Sequence, residues 1–314
     1  MPKEVPGLDL QLVAEGLRFP EGPVAKADGS VIVTEIMTGV LTRIRPDGAR
    51  ETVAEVGGGP NGLAVGPDGA LYVCNNGGRF TYHEVDGLLI PGDTPPEHVG
   101  GSIQRVDLAT GRVETLYDAC DGWRLLAPND LVFEPGGGFW FTDHGTSDAE
   151  GRRHGALYYA RADGSLIRRV RHSLYTPNGV GLSPDGRTVY MADTLTGRLW
   201  AFDVTGEGEL APVQLGMPGR VVVTLPGYQL FDSLAVEADG RVCVATIING
   251  GISAVTPAGP EAGTVEHFAV PDLITTNIAF GGPDMRDAWI TASATGKLYK
   301  ARWPRPGLKL AFDA

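Results

Sequence analysis

The sequence predicts an all-β chain folded as a six-bladed β-propeller, with four short strands per blade around a central channel. Three observations carry that expectation. The 314 residues include 45 Gly and 23 Pro, which suits a backbone that turns often. Short alternating runs such as VIVTE, LYVCN, FWFTD and VYMAD recur between turns, and no long stretch shows a 3.6-residue apolar period. Finally, one unit repeats six times along the chain.

The copies begin at FPEGPVAKADGSVIVTE from Phe19, GPNGLAVGPDGALYVCN from Gly59 and APNDLVFEPGGGFWFTD from Ala127. They continue at TPNGVGLSPDGRTVYMAD from Thr176, LFDSLAVEADGRVCVAT from Leu230 and TTNIAFGGPDMRDAWIT from Thr275. Each copy holds an apolar stretch, a PDG- or ADG-like turn, an alternating run, then a further turn and strand. A spacing of roughly 40–50 residues matches a propeller blade. The copies span residues 19 to about 303 and leave no room for a second domain, so the whole chain, 1–314, is expected to be one propeller. An open solenoid or two β domains would be the other readings. Ring closure is expected from LDLQLVAEG, as a strand of the last blade, which ends near LYKARW.

Composition narrows the partners. The net charge of −12 argues against nucleic acid and against an anionic membrane surface. No apolar run approaches the length of a membrane span, and the first residues lack a secretory pattern. The three cysteines, Cys74, Cys120 and Cys243, have no CxxC spacing and read as buried thiols in a reducing cytoplasm.

The repeat also aligns six polar residues at one phase: Glu21, Asn61, Asn129, Asn178, Asp232 and Asn277. The innermost strand of each blade lines the channel, so equivalent positions converge on one axis. Asn beside Pro or Gly is ordinarily a turn residue, but turn chemistry does not call for Glu and Asp among the siblings. Two carboxylates near one axis repel each other unless a cation sits between them, and no Lys or Arg shares the phase. An oxygen-only donor set points to Ca²⁺ or Mg²⁺, with Mn²⁺ or Zn²⁺ open.

These motifs resemble the SMP-30/gluconolactonase/luciferin-regenerating-enzyme family of six-bladed propellers. The resemblance rests on FPEGP, APNDLVFEPGGGFWFTDHG, TPNGVGLSPDGRTVYMADT and FDSLAVEADGRVCVATIINGG and covers nearly the whole chain. It implies one catalytic divalent cation held by Glu21, Asn129, Asn178 and Asp232, and a lactonase activity. Relatives in that family also hydrolyse organophosphate esters. Where the sugar-lactonase branch carries Arg two residues before the asparagine, this chain has Ala127, which implies a substrate other than an aldonolactone.

The expected reaction is hydrolysis of a lactone, its carbonyl polarised by the cation. Asp232 is the candidate general base or, alternatively, the nucleophile. Asn129 is expected to bind metal, substrate or its water. Asn61 and Asn277 are expected to touch substrate or support the metal ligands. No GxSxG elbow is present. Of the six histidines, His144 in TDHG is the one expected to reach substrate. Residues 77–101 form an insertion with Phe80, Tyr82, Leu88, Leu89 and Ile90, read either as a lid or as a dimer contact or surface hairpin. The loop 145–155 is expected to be a solvated rim. A phosphotriesterase, a lyase or isomerase, or a non-catalytic binding propeller are the competing functions, and a monomer or homodimer both fit.

Overall fold

The computed structural model describes residues 3–5, 7–148, 150–212 and 215–312. Among them no helix occurs, and six antiparallel sheets follow one another along the chain in propeller order. The inner strands are Pro20–Ala25, Pro60–Val65, Pro128–Phe133, Pro177–Leu182, Leu230–Val236 and Thr275–Gly281. Each continues through a turn into a second strand: Val31–Glu35, Leu71–Asn75, Gly138–Asp143, Thr188–Asp193, Val242–Ile247 and Asp287–Ala292. The six units begin where the repeats place them.

Ring closure follows the expected route. Gln11–Ala14 adds as the outer strand to Lys297–Arg302, with Gln11 opposite Lys300, so the chain's start completes its last blade. One feature was not anticipated: Lys3–Glu4 adds a parallel fifth strand to the neighbouring sheet, beside Val265–Ala269.

Apolar residues alternate along the strands, and the sheets pack face to face. The core is therefore divided among the seams between adjacent blades. Trp140, Leu157 and Tyr159 of the third sheet meet Val180, Met191 and Trp200 of the fourth, for example. The seam between sixth and first blades is sealed by Ala14, Leu17, Val33, Trp289 and Leu298.

The inner strands share a second device. In all six sheets the pairing of inner with second strand slips at the residue or two around the aligned polar position, as between Glu21 and Val24 or Pro128 and Leu131. Such a bulge frees the residue from the ladder and re-aims its side chain. The freed carbonyls find hydroxyls on the preceding blade: Thr34 donates to the Asn61 carbonyl at 2.8 Å, Thr142 to that of Asn178, and Ser293 to that of Pro20 at 2.6 Å. Little space remains beside these strands. A Cβ on Gly62 would lie 2.6 Å from the Asn129 carbonyl, and one on Gly179 would lie 2.6 Å from the Leu234 amide nitrogen.

Below the polar ring the channel continues as an apolar cavity of about 370 Å³, lined by Leu63, Leu131, Val180, Leu234 and Ile278. The C-terminal segment closes its far end. Leu308 donates to the Val236 carbonyl at 2.8 Å, and Phe312 meets Phe133 edge-on at 5.7 Å.

Crowding at the axis makes a prediction. Gly179→Ala should cost about 3 kcal/mol in chemical denaturation, because backbone must move to admit the methyl. Gly136→Ala, whose methyl meets nothing within 4 Å, should change stability by less than about 0.5 kcal/mol. Equal effects would rule out close approach as the cause.

Candidate metal and substrate site at the channel mouth

The loops entering the inner strands are pinned by the last residue of the second strands. Glu35 accepts from the Arg18 amide at 2.7 Å, Asn75 from that of Gly59 at 3.0 Å, and Asp143 from those of Leu126 and Ala127 at 2.7 and 2.9 Å. The Thr176 hydroxyl donates to Asp193 at 2.6 Å. Each polar ring residue follows within three positions and is thereby held toward the axis.

The structure gathers the aligned residues at one end of the channel. Glu21 is 1% exposed; its Oε2 accepts from the Gly22 amide at 2.6 Å and from the Asn277 amide at 2.7 Å. Its Oε1 is buried without any donor, as are Oδ1 of Asn61 and Oδ1 of Asn129. Asn178 donates to the Thr194 hydroxyl at 3.0 Å, and its oxygen receives only a long contact, 3.5 Å, from Ser233. Asp232 accepts from the Ser233 amide at 3.0 Å. Asn277 spends both ends locally, donating to Glu21 and accepting from the Ile278 amide at 2.8 Å. Asn61, placed by the sequence beside the metal ligands, thus resembles Asn129 in its surroundings, whereas Asn277 stands behind Glu21.

A third acid joins them. Asp130 is 7% exposed and accepts from the Leu131 amide at 2.9 Å and the Val180 amide at 3.3 Å. It was missed as a site residue although a signal existed: the residue after each aligned position is Gly22, Gly62, Gly179, Ser233 or Ile278 in the other blades. An acid in a phase otherwise occupied by residues without a charge marks a departure from packing.

Burial dominates the electrostatics. It lifts Glu21 well above the usual carboxylate range, with the charge of Asp232 next in effect. It pushes Asp232 up to about 8 and Asp130 up to about 7. Three crowded acids with no cationic partner among the described residues, together with three buried acceptor oxygens lacking a donor there, fit a hard cation held by oxygen ligands. Among the described residues no group of three or more His, Cys, Asp or Glu is gathered as a metal cluster. The fit therefore depends on the asparagine oxygens.

His144 lies at the same end, 7% exposed, with its amide on the Ala127 carbonyl at 2.9 Å. Its Nδ1 stands 3.2 Å from an Arg152 guanidinium nitrogen. A guanidinium only donates, so Nδ1 accepts and Nε2 carries the proton. Burial, then Arg79 and Arg152, hold the ring well below its usual pKa, so it is neutral. Arg152 corrects the expectation for the loop 145–155. That loop is not merely a solvated rim, because Arg152 folds back onto the His144 carbonyl and Ser147. Its sequence carried no signal of this contact.

The insertion packs back onto the propeller near Phe19 and Ala294. Tyr82–Val85 and Leu88–Pro91 form a hairpin, and the Leu89 amide donates to the Ala294 carbonyl on the sixth blade at 2.8 Å. Leu89 packs with Phe19, Ile36 and Ile274, and Tyr82 meets the Phe19 ring at 5.2 Å. These contacts seat the hairpin on the first and sixth blades, beside the residue two positions before Glu21. Phe19, just before the Pro20–Ala25 strand, sits at φ 60°, an uncommon conformation for a bulky residue that turns its ring toward the hairpin.

The raised carboxyls fix a sign. A group that binds its proton more tightly when folded contributes stability that fades as pH rises through its folded pKa. With metal chelated, Asp130→Asn should raise the thermal midpoint by about 4 °C at pH 8.5 and hardly at all at pH 5. An equal shift at both values would mean that charge burial is not the cause.

The sequence profile described as the SMP-30/Gluconolactonase/LRE-like region matches residues 19–294. A gluconolactonase of Zymomonas mobilis is 26% identical over 222 residues, covering 63% of this chain but 56% of its own length. Lactonase drp35 of Staphylococcus haemolyticus is 24% identical over 82% of this chain and 71% of its own. Among solved structures, a gluconolactonase of Xanthomonas campestris superposes with a TM-score of 0.73 at 23% identity, covering 94% of this chain and 89% of that one. Regucalcin of Agrobacterium tumefaciens, a calcium-binding protein, also superposes at 0.73, with 17% identity over 99% of this chain and 100% of that one. These structural likenesses speak to the fold.

Proposed function

This chain belongs to the SMP-30/gluconolactonase/LRE-like family, and we propose that it is a lactonase whose channel mouth holds a divalent cation. The observation that carries the proposal is the set of orphaned acceptors, Glu21 Oε1, Asn61 Oδ1 and Asn129 Oδ1, beside the crowded acids. The names of its relatives, gluconolactonase and lactonase, support the reaction class.

Glu21, Asn129, Asn178 and Asp232 would hold the cation, with Asn61 near enough in kind to join them and Asn277 steadying Glu21. When bound, the cation would supply Lewis-acid polarisation of a lactone carbonyl and offset the charge of the acids. Calcium is the proposed ion, since an all-oxygen set with neutral amides suits a hard cation of flexible coordination. Asp232 is the ring acid least enclosed, half-buried where Glu21 is sealed. One of its oxygens accepts from the Ser233 amide and the Asn178 side chain lies within hydrogen-bond reach, and this carboxylate would take a proton from an attacking water or attack the carbonyl carbon itself. The neutral His144, protonated on Nε2, can donate to a substrate oxygen. The hairpin over the mouth keeps bulk water from the reacting ester.

The proposal is tested by following acid release from a panel of γ- and δ-lactones after chelation, with Ca²⁺, Mg²⁺, Mn²⁺ or Zn²⁺ restored singly. Metal-restored hydrolysis is the expected result. Folded, metal-loaded protein that opens none of them would overturn it. Asp232→Asn should lower kcat by about a thousandfold, with the cation still bound by calorimetry. Near-normal turnover would remove Asp232 from the chemistry.

A further inference from the structure

Across the mouth from the acids lies a wall of opposite charge. Arg79 follows the second strand of the second blade, and the Asn76 side chain fixes its backbone by accepting from the amides of Gly78 and Arg79, each at 3.0 Å. The residue is only 5% exposed. Its Nε donates to the Gly145 carbonyl at 3.1 Å, and its guanidinium lies over the Phe80 ring at 4.2 Å. Its two terminal nitrogens have no acceptor among the described residues. Arg152 stands close enough to repel it, and that guanidinium is spent on His144, Ser147 and the Tyr175 carbonyl.

No carboxylate neutralises this pair at ion-pair distance among the described residues. Asp93 and Asp143 are the acids whose fields reach Arg79. Asp143 already accepts from the amides of Leu126, Ala127 and Gly145, and Asp93 is exposed at the foot of the hairpin. A nearly buried guanidinium without an anion is costly, and a protein of net charge −12 has many acids with which to pair one. Next to it, the Tyr82 hydroxyl is buried with no partner. Tyr82 bridges the two halves of the mouth, its ring against Phe19, two residues before Glu21, and within electrostatic reach of both Arg79 and Glu21.

We propose that the substrate is a lactone bearing a carboxylate, which pairs with Arg79 and accepts from Tyr82 while its ring ester faces the acidic half of the mouth. This rests on the lactonase reading for the reaction, but not for the anion site itself. A planar guanidinium with two free terminal nitrogens matches the fork of a carboxylate. Ala127 leaves the position two residues before Asn129 without a cation, and Arg79 supplies one from the neighbouring blade.

The test compares 5-oxotetrahydrofuran-2-carboxylate with its neutral carboxamide. The metal-loaded protein should prefer the carboxylate by at least about tenfold in kcat/KM, and Arg79→Gln should bring that ratio to about one. Tyr82→Phe should lower the ratio without abolishing it. Equal rates on the two substrates, or a ratio unmoved by Arg79→Gln, would overturn the proposal. Calorimetry with glutarate and glutaramide tests the anion site separately from turnover. Glutarate should bind at least about tenfold more tightly, and Arg79→Gln should erase the difference. If neither lactone is opened but glutarate still binds through Arg79, the reaction class fails and the anion site stands. No preference for glutarate, or tighter Arg79-dependent binding of inorganic phosphate, would overturn the carboxylate assignment.

Discussion

The close approach of six inner strands about one axis is the constraint on which the molecule depends. Each strand gives up regular pairing near its start, so that its ring residue leaves the ladder and turns inward. Backbone groups released in this way must be satisfied, and hydroxyls on the preceding blade do so, as Thr34 does for Asn61 and Ser293 for Pro20. Closure of the ring and presentation of the site are therefore one structural act. A blade displaced outward would lose both the bond to its neighbour and the convergence of its polar side chain.

That convergence is costly for the folded protein. Burial pushes Glu21, Asp130 and Asp232 toward their neutral forms, and the neighbouring acids add to it for Glu21 and Asp232. Orphaned oxygens on Glu21, Asn61 and Asn129 add to the cost. The rest of the fold offsets it through the interblade seams, where Trp140, Tyr159 and Trp289 lie essentially out of water. On the far side of the channel, Glu237 is equally buried but meets Arg305 and Trp303 directly. The contrast separates a structural acid from the acids of the mouth: one meets a cation, whereas among the described residues the others have none at ion-pair distance.

The mouth is also polar in a second sense. Acids from the first, third and fifth blades occupy one region, and Arg79 and Arg152 the wall that the insertion and the 145–155 loop build. The hairpin is anchored to the sixth blade through Leu89 and Ala294 and packs beside Phe19. The insertion therefore meets the site residues directly, since the Phe80 ring stands 6.3 Å from the His144 ring and Tyr82 meets Phe19.

The sequence by itself determined the six-fold repeat, the strand order, the closing strand at Gln11–Ala14 and the phase of the ring residues. All of these follow from local periodicity and turn chemistry, which repeat with the chain. It also contained Asp130, visible as an acid where the other copies carry Gly, Ser or Ile. Only the tertiary structure decided which amide oxygens lack donors, that Asn277 serves Glu21, and that Arg152 leaves its loop for His144. It alone brought Arg79 and Tyr82 against the acidic half of the mouth. The reason is that these contacts join segments from different blades, and a loop outside the repeat has no sibling against which its side chains can be aligned. Their charges reveal a role only when burial is seen with no partner among the described residues to neutralise them.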